Sequence, residues 1–118
     1  MRRGVHLAIG ILAFCLYAGV TSRLTGLSYG MLVLGGCTAI AGSLMPDLLE
    51  RPTSSRHRRF FHSKRALTGS GMVFCVATLL YLLPEVPYRP VMFWISSCAL
   101  GYLLHLSADA MTKRGLPD

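Results

Sequence analysis

Pro90-Val-Met-Phe-Trp-Ile-Ser-Ser-Cys-Ala-Leu-Gly-Tyr-Leu-Leu-His-Leu-Ser-Ala108 is a stretch of 19 residues without one Asp, Glu, Lys or Arg. A hydrocarbon layer of roughly 30 Å is crossed by about 20 helical residues, so this stretch alone is long enough to span a bilayer. Three more charge-free stretches precede it, at 4–22, 24–46 and 66–84. Over the 118 residues 53% are hydrophobic and 14% charged, against about 25% charged in an average soluble chain, and mean hydropathy is +0.50. All 12 Lys and Arg and all 5 Asp and Glu are confined to what remains. This pattern excludes an ordinary water-soluble domain. Backbone in lipid must satisfy its own hydrogen bonds, which makes each stretch a helix. The expected fold is all-α: one polytopic membrane domain over 1–118, a bundle of four transmembrane helices at about 5–22, 27–46, 66–83 and 91–110. A proline-rich turn at 83–90 joins the last two, and 47–65 is the only long connection.

A net charge of +7 would point to nucleic acid in a soluble chain. In a membrane chain it reports orientation, because cytoplasmic loops collect Lys and Arg. Arg2, Arg3, Arg51, Arg56, Arg58, Arg59, Lys64, Arg65, Lys113 and Arg114 fall at the termini and in the 47–65 connection, leaving only Arg23 and Arg89 for the other side. Both termini and the basic connection are therefore expected in the cytoplasm, in a bacterial or archaeal inner membrane, with no nucleic-acid partner. The Arg2-Arg3 start resembles a signal peptide, but the apolar run is long and the cleavage pattern near Ala18 poor; it reads as a retained span. Cys15, Cys37, Cys75 and Cys98 stand singly, without metal or disulfide spacing, and read as buried small apolar residues.

Helices in lipid associate by close backbone approach. The second span offers Gly35, Ala39 and Ser43 at i+4 spacing, with Gly26 and Gly30 as a GxxxG pair at its start, where a homo-oligomer or larger membrane complex would form. The fourth offers Ser97 and Gly101. Continuing that stripe by four gives His105 and then Asp109 on the bundle-facing side. His6 starts the first span with Gly10 one turn deeper, Asp47 follows Pro46 at the end of the second, and the connection carries His57, Arg58, Arg59, His62 and Ser63. Ionisable groups within spans are costly and usually functional. Each has a plain structural reading alone, such as an interfacial histidine or a positive-inside anchor on anionic lipid. Their gathering at one interface is harder to assign to chance.

Imidazole and carboxylate together are donors for a divalent cation such as Zn²⁺, Mn²⁺ or Mg²⁺. The expected ligands are His6, Asp47, His62, His105 and Asp109, in one site or sharing two metals. Such a cation activates water at neutral pH. His62 and Ser63 then fall in the catalytic group, with Arg58 and Arg59 anchoring phosphate through charge-assisted hydrogen bonds.

The ordered segments His6-x3-Gly10, Pro46-Asp47, His57-Arg58-x3-His62-Ser63 and His105-x3-Asp109-x2-Thr112-x2-Gly115 resemble the motifs of the YdjM-like family. That family is described as LexA-regulated, inner-membrane-associated metal-dependent hydrolases, an activity inferred from these same motifs. The resemblance runs from residue 6 to residue 115. It implies a membrane-bound hydrolase with the ligands named above, and Ser63 and Thr112 as orienting groups. The chain departs from the pattern in two places. The family's Asp-x-Asp-His is Asp47-Leu48-Leu49-Glu50, so a carboxylate is missing and Glu50 stands in the place of a histidine. His-Arg-Gly-x-Thr-His-Ser becomes His57-Arg58-Arg59-Phe60-Phe61-His62-Ser63. The chain is also short for the family.

Two functions follow. One is a metal-dependent hydrolase at the cytoplasmic face acting on an amphiphilic or phosphate-bearing substrate. The other is a non-catalytic membrane subunit whose polar cluster locks the helix ends while its basic loop docks anionic lipid or a partner protein.

Overall fold

The computed structural model describes residues 3–50, 60–112 and 116. Four helices follow one another: α1 (Arg3–Thr25), α2 (Tyr29–Leu49), α3 (Lys64–Leu82) and α4 (Arg89–Ala110). All four are long and apolar enough to cross a membrane, with mean hydropathy of 1.8, 1.5, 1.4 and 1.5. No strand occurs among the described residues. The helices extend beyond the charge-free runs because a charged residue can end an apolar run without ending a helix. Asp47 consequently lies in the last turn of α2 rather than beyond it.

The helix ends are set by local chemistry. Gly26 takes φ +66° and gives its N–H to the Ser22 carbonyl at 3.0 Å, closing α1 in the left-handed conformation that glycine adopts without strain. Gly26 therefore belongs to the end of α1, and it does not form a helical GxxxG face with Gly30. A Cβ on either glycine would meet open space. Ser28 starts α2, its hydroxyl accepting from the Met31 N–H at 3.3 Å. Pro90 sits in the first turn of α4, where the missing N–H costs nothing.

α4 is the innermost helix and packs against the other three. Its contact with α2 is made by glycine. A Cβ on Gly42 would collide with the Cys98 carbonyl, and one on Gly101 with the Ala39 carbonyl, so the two backbones meet at a distance no larger residue allows. The stripe that sequence places inward is buried here: Gly35, Ala39 and Ser43 on α2, Ser97, Gly101 and His105 on α4. Toward the far end, Phe93 and Tyr81 fill the centre, and the Tyr17 hydroxyl shares hydrogen bonds with Ser96 at 2.7 Å and Thr78 at 3.2 Å.

The outer surface is apolar, with Leu12, Leu16, Met72 and Leu79 more than half exposed. Cys15, Cys37 and Cys75 lie on this surface and only Cys98 is partly covered; all four thiols are free. The expectation that the cysteines are buried is thus corrected for three of them. In lipid an apolar side chain gains nothing by facing inward, so small apolar residues are not driven to the core. The start of α1, the ends of α2 and α4 and the start of α3 all lie at one end of the bundle, joined by contacts among His6, Asp47, His62 and Asp109.

Candidate metal centre

Gly10 and Ser43 set the floor of this end. A side chain on Gly10 would overlap the Ser43 hydroxyl, so glycine lets α1 lie against α2 one turn below His6. Pro46 is buried in the last turns of α2 and has no N–H for the carbonyl four residues earlier. One turn below it, the Ser43 carbonyl points across to α4, where it accepts from His105 Nδ1 at 2.7 Å. A carbonyl can only accept, so Nδ1 carries the proton. In the neutral ring Nε2 is then a bare lone pair.

That Nε2 is buried and has no hydrogen-bond partner. It lies 3.6 Å from Asp47 Oδ1 and 3.4 Å from Asp109 Oδ2. His62 Nε2 faces the same two oxygens from the third direction, 3.6 Å from Asp47 Oδ1 and 3.8 Å from Asp109 Oδ2. Its other ring nitrogen, Nδ1, lies 2.9 Å from Glu50 Oε2. Two lone pairs on nitrogen thus face two carboxylate oxygens. The separations exceed the 2.7–2.9 Å typical of a charge-assisted hydrogen bond. Donors sharing one tetrahedral cation at about 2.0–2.1 Å would stand roughly 3.3–3.4 Å apart, close to the spacing seen.

His6 enters from α1. Its ring stacks on His105 with centroids 4.1 Å apart, and its Nε2 lies 3.3 Å from Asp109 Oδ1. Donor atoms of His6, His105 and Asp109, and of Asp47, His62 and His105, lie within 4.8 Å of one another in each group. The result is two overlapping triads that share His105. The histidines form the buried back of the site, with His6, His62 and His105 no more than 6% exposed, whereas Asp47 and Asp109 keep about a fifth of their surface open at 22% and 21%. Arg3 stands outside, its Nε 4.0 Å from Asp47 Oδ2. Leu48, Leu49 and Phe60 are exposed at the same end.

A model of the YdjM inner membrane protein family matches residues 1–117. The chain belongs to that family. No curated protein and no solved structure matches it.

The motifs of this YdjM-family chain are therefore legible as parts of one end of the bundle. The five expected metal ligands come together. His57, Arg58, Arg59 and Gly115 lie outside the described residues. Ser63, expected among the catalytic group, is buried and engaged with backbone: it accepts from the Ala66 N–H at 3.1 Å as the cap of α3 and donates to the Phe60 carbonyl at 2.7 Å. Thr112 donates to the Asp109 carbonyl at 2.7 Å, fixing the turn that ends α4.

Glu50 is the family departure with the clearest structure. It caps α2 and is 8% exposed. Oε1 accepts from the N–H groups of Phe60 at 3.1 Å and Phe61 at 2.9 Å, while Oε2 faces His62. Burial alone would raise its pKa, but the Phe61 N–H, the His62 ring and the Phe60 N–H outweigh it and hold the carboxyl below its ordinary value. From α4, the Tyr102 hydroxyl donates to the Phe61 carbonyl at 2.8 Å. Neither Tyr102 nor the Ser43 carbonyl is predictable from spacing, since both act across the bundle on groups far away in sequence.

Proposed function

We propose that this protein is a membrane-bound, divalent-metal-dependent hydrolase. It works at the cytoplasmic face on amphiphiles that carry a phosphoester. The observation that carries this reading is the buried His105 Nε2, whose proton is committed to the other side of the ring and which faces two carboxylates without a hydrogen-bond partner. A buried polar atom with nothing to bind is uncommon, and a lone pair opposite carboxylate oxygen favours a cation between them. Asp47, His62, His105 and Asp109 form the principal donor set. His6 meets the other oxygen of Asp109 and closes the second triad.

When bound, the cation supplies Lewis acidity, polarising a substrate oxygen and making water a better nucleophile. The protein's own groups do the remaining work. The histidines, shut away from solvent, hold the back of the site. The partly open carboxylates of Asp47 and Asp109 border the side from which water and substrate approach and are placed to receive a proton. Arg3 stands beside Asp47 where it can pair with an anionic oxygen, and the sequence adds Arg58 and Arg59. Leu48, Leu49 and Phe60 provide apolar surface for the tail of an amphiphile. In the sequence, Lys and Arg collect at the termini and in the 47–65 connection, which supports a cytoplasmic placement for this end.

The test is hydrolysis of a fluorogenic phosphoester lipid by sealed membrane vesicles containing the protein. Turnover is expected in inverted vesicles, which expose the cytoplasmic face, and not in right-side-out ones. It should vanish on chelation, return with Zn²⁺ or Mn²⁺ and be lost in Asp109→Ala. Metal binding without turnover of any phosphoester would overturn the hydrolase in favour of a cluster that only locks the helix ends.

A further inference from the structure

Glu50 is a third carboxylate at this end, the buried one of the three, and it belongs to neither triad. We propose that Glu50 is a positioning residue that holds His62 in the tautomer presenting Nε2 to the cation site; the inference rests on the metal-dependent reading above.

The geometry is specific. A carboxylate can only accept, so the 2.9 Å contact between Glu50 Oε2 and His62 Nδ1 puts the ring proton on Nδ1 and leaves Nε2 bare. That nitrogen is the one facing Asp47 and Asp109. The arrangement on His62 parallels that on His105, where the Ser43 carbonyl takes the Nδ1 proton. Both imidazoles therefore point lone pairs at the same oxygens, each oriented by a different acceptor. Carboxylate partners of this kind fix ring orientation and raise ligand basicity at metal sites.

The second oxygen of Glu50 explains why the residue must be long and charged. Oε1 takes two backbone N–H groups, from Phe60 and Phe61, so the chain returning to α3 is pinned to the residue from which it left α2. Aspartate is one methylene shorter and cannot serve both groups from the same place. Glutamine keeps the length but not the chemistry. With its amide oxygen taken by the two N–H groups, its NH₂ faces His62 Nδ1, which must then accept. The ring proton moves to Nε2 and points into the cation site.

The experiment measures two things on the purified full chain in detergent. The first is the tautomer of His62 in metal-free protein, read from ¹⁵N and ¹³C ring shifts. The second is Zn²⁺ affinity by competition with a chelator. Wild type should show the Nδ1–H form of His62. Glu50→Gln should shift it to Nε2–H and weaken Zn²⁺ on the order of 10–100-fold. Tyr102→Phe releases the same segment at the Phe61 carbonyl without touching His62, and should change neither the tautomer nor the affinity by more than a few-fold. In a His62→Ala background, Glu50→Gln should weaken Zn²⁺ no further. An Nε2–H tautomer in wild type overturns the proposal without recourse to any variant, as does Zn²⁺ affinity unchanged by Glu50→Gln. Absence of Zn²⁺ binding by wild type would sink the hydrolase reading instead, while the tautomer would still decide the role of Glu50.

Discussion

At the scale of single residues, the cluster divides into side chains that face the centre of the site and side chains whose polar atoms are already committed. His105 and Ser63 illustrate the division, both almost completely buried. The Ser63 hydroxyl accepts one hydrogen bond and donates another, both to backbone, so it has a complete structural account. Ser63→Ala removes a helix cap and is expected to cost about 1 kcal/mol of stability, read as a lower thermal midpoint, with Zn²⁺ affinity unchanged within about two-fold. A substantial loss of affinity at unchanged stability would return Ser63 to the functional group. Sequence spacing marked both residues as candidates. It could not separate them, because the distinction lies in what their second atoms bond to across the chain.

At the scale of helices, the site depends on a contact that contains none of its ligands. Asp47 comes from α2 and His105 from α4, and their separation of 3.6 Å is set where Gly42 meets Cys98 and Gly101 meets Ala39. Gly42→Val should force the helices apart, lowering stability and weakening Zn²⁺ together. Gly30→Ala, which points into open space, should leave both within experimental error. If Gly42→Val left Zn²⁺ binding intact, the two helices would not set the ligand spacing. The fourth helix shows how far the sequence could be read. Its i+4 stripe from Ser97 through Gly101 to His105 and Asp109 follows directly from helical geometry, and the structure buries the first three together. The Gly26 and Gly30 pair obeyed the same spacing rule and failed, since a left-handed turn at Gly26 ends one helix before the next begins. Spacing implies a shared face only while the backbone stays helical. Glu50 was legible only as a family departure; its partners lie 10 to 12 residues away through a connection that no helical period describes.

For the whole molecule, four helices bring one end into register. The starts of α1 and α3 and the ends of α2 and α4 meet there, and the apolar lengths between act as the frame that holds them. The same bundle is sealed at its far end by Phe93, Tyr81 and the Tyr17 hydroxyl network, where no His, Asp or Glu gathers among the described residues. The proposed function requires the polar end to hold a divalent cation. X-ray absorption at the zinc edge, on protein loaded with Zn²⁺ and washed free of excess, tests it most directly. Nitrogen and oxygen neighbours are expected at about 2.0–2.1 Å with imidazole scattering from more than one ring, weakened in His105→Ala. Protein that retains no zinc, or zinc surrounded only by oxygen with a spectrum indifferent to His105→Ala, would contradict it.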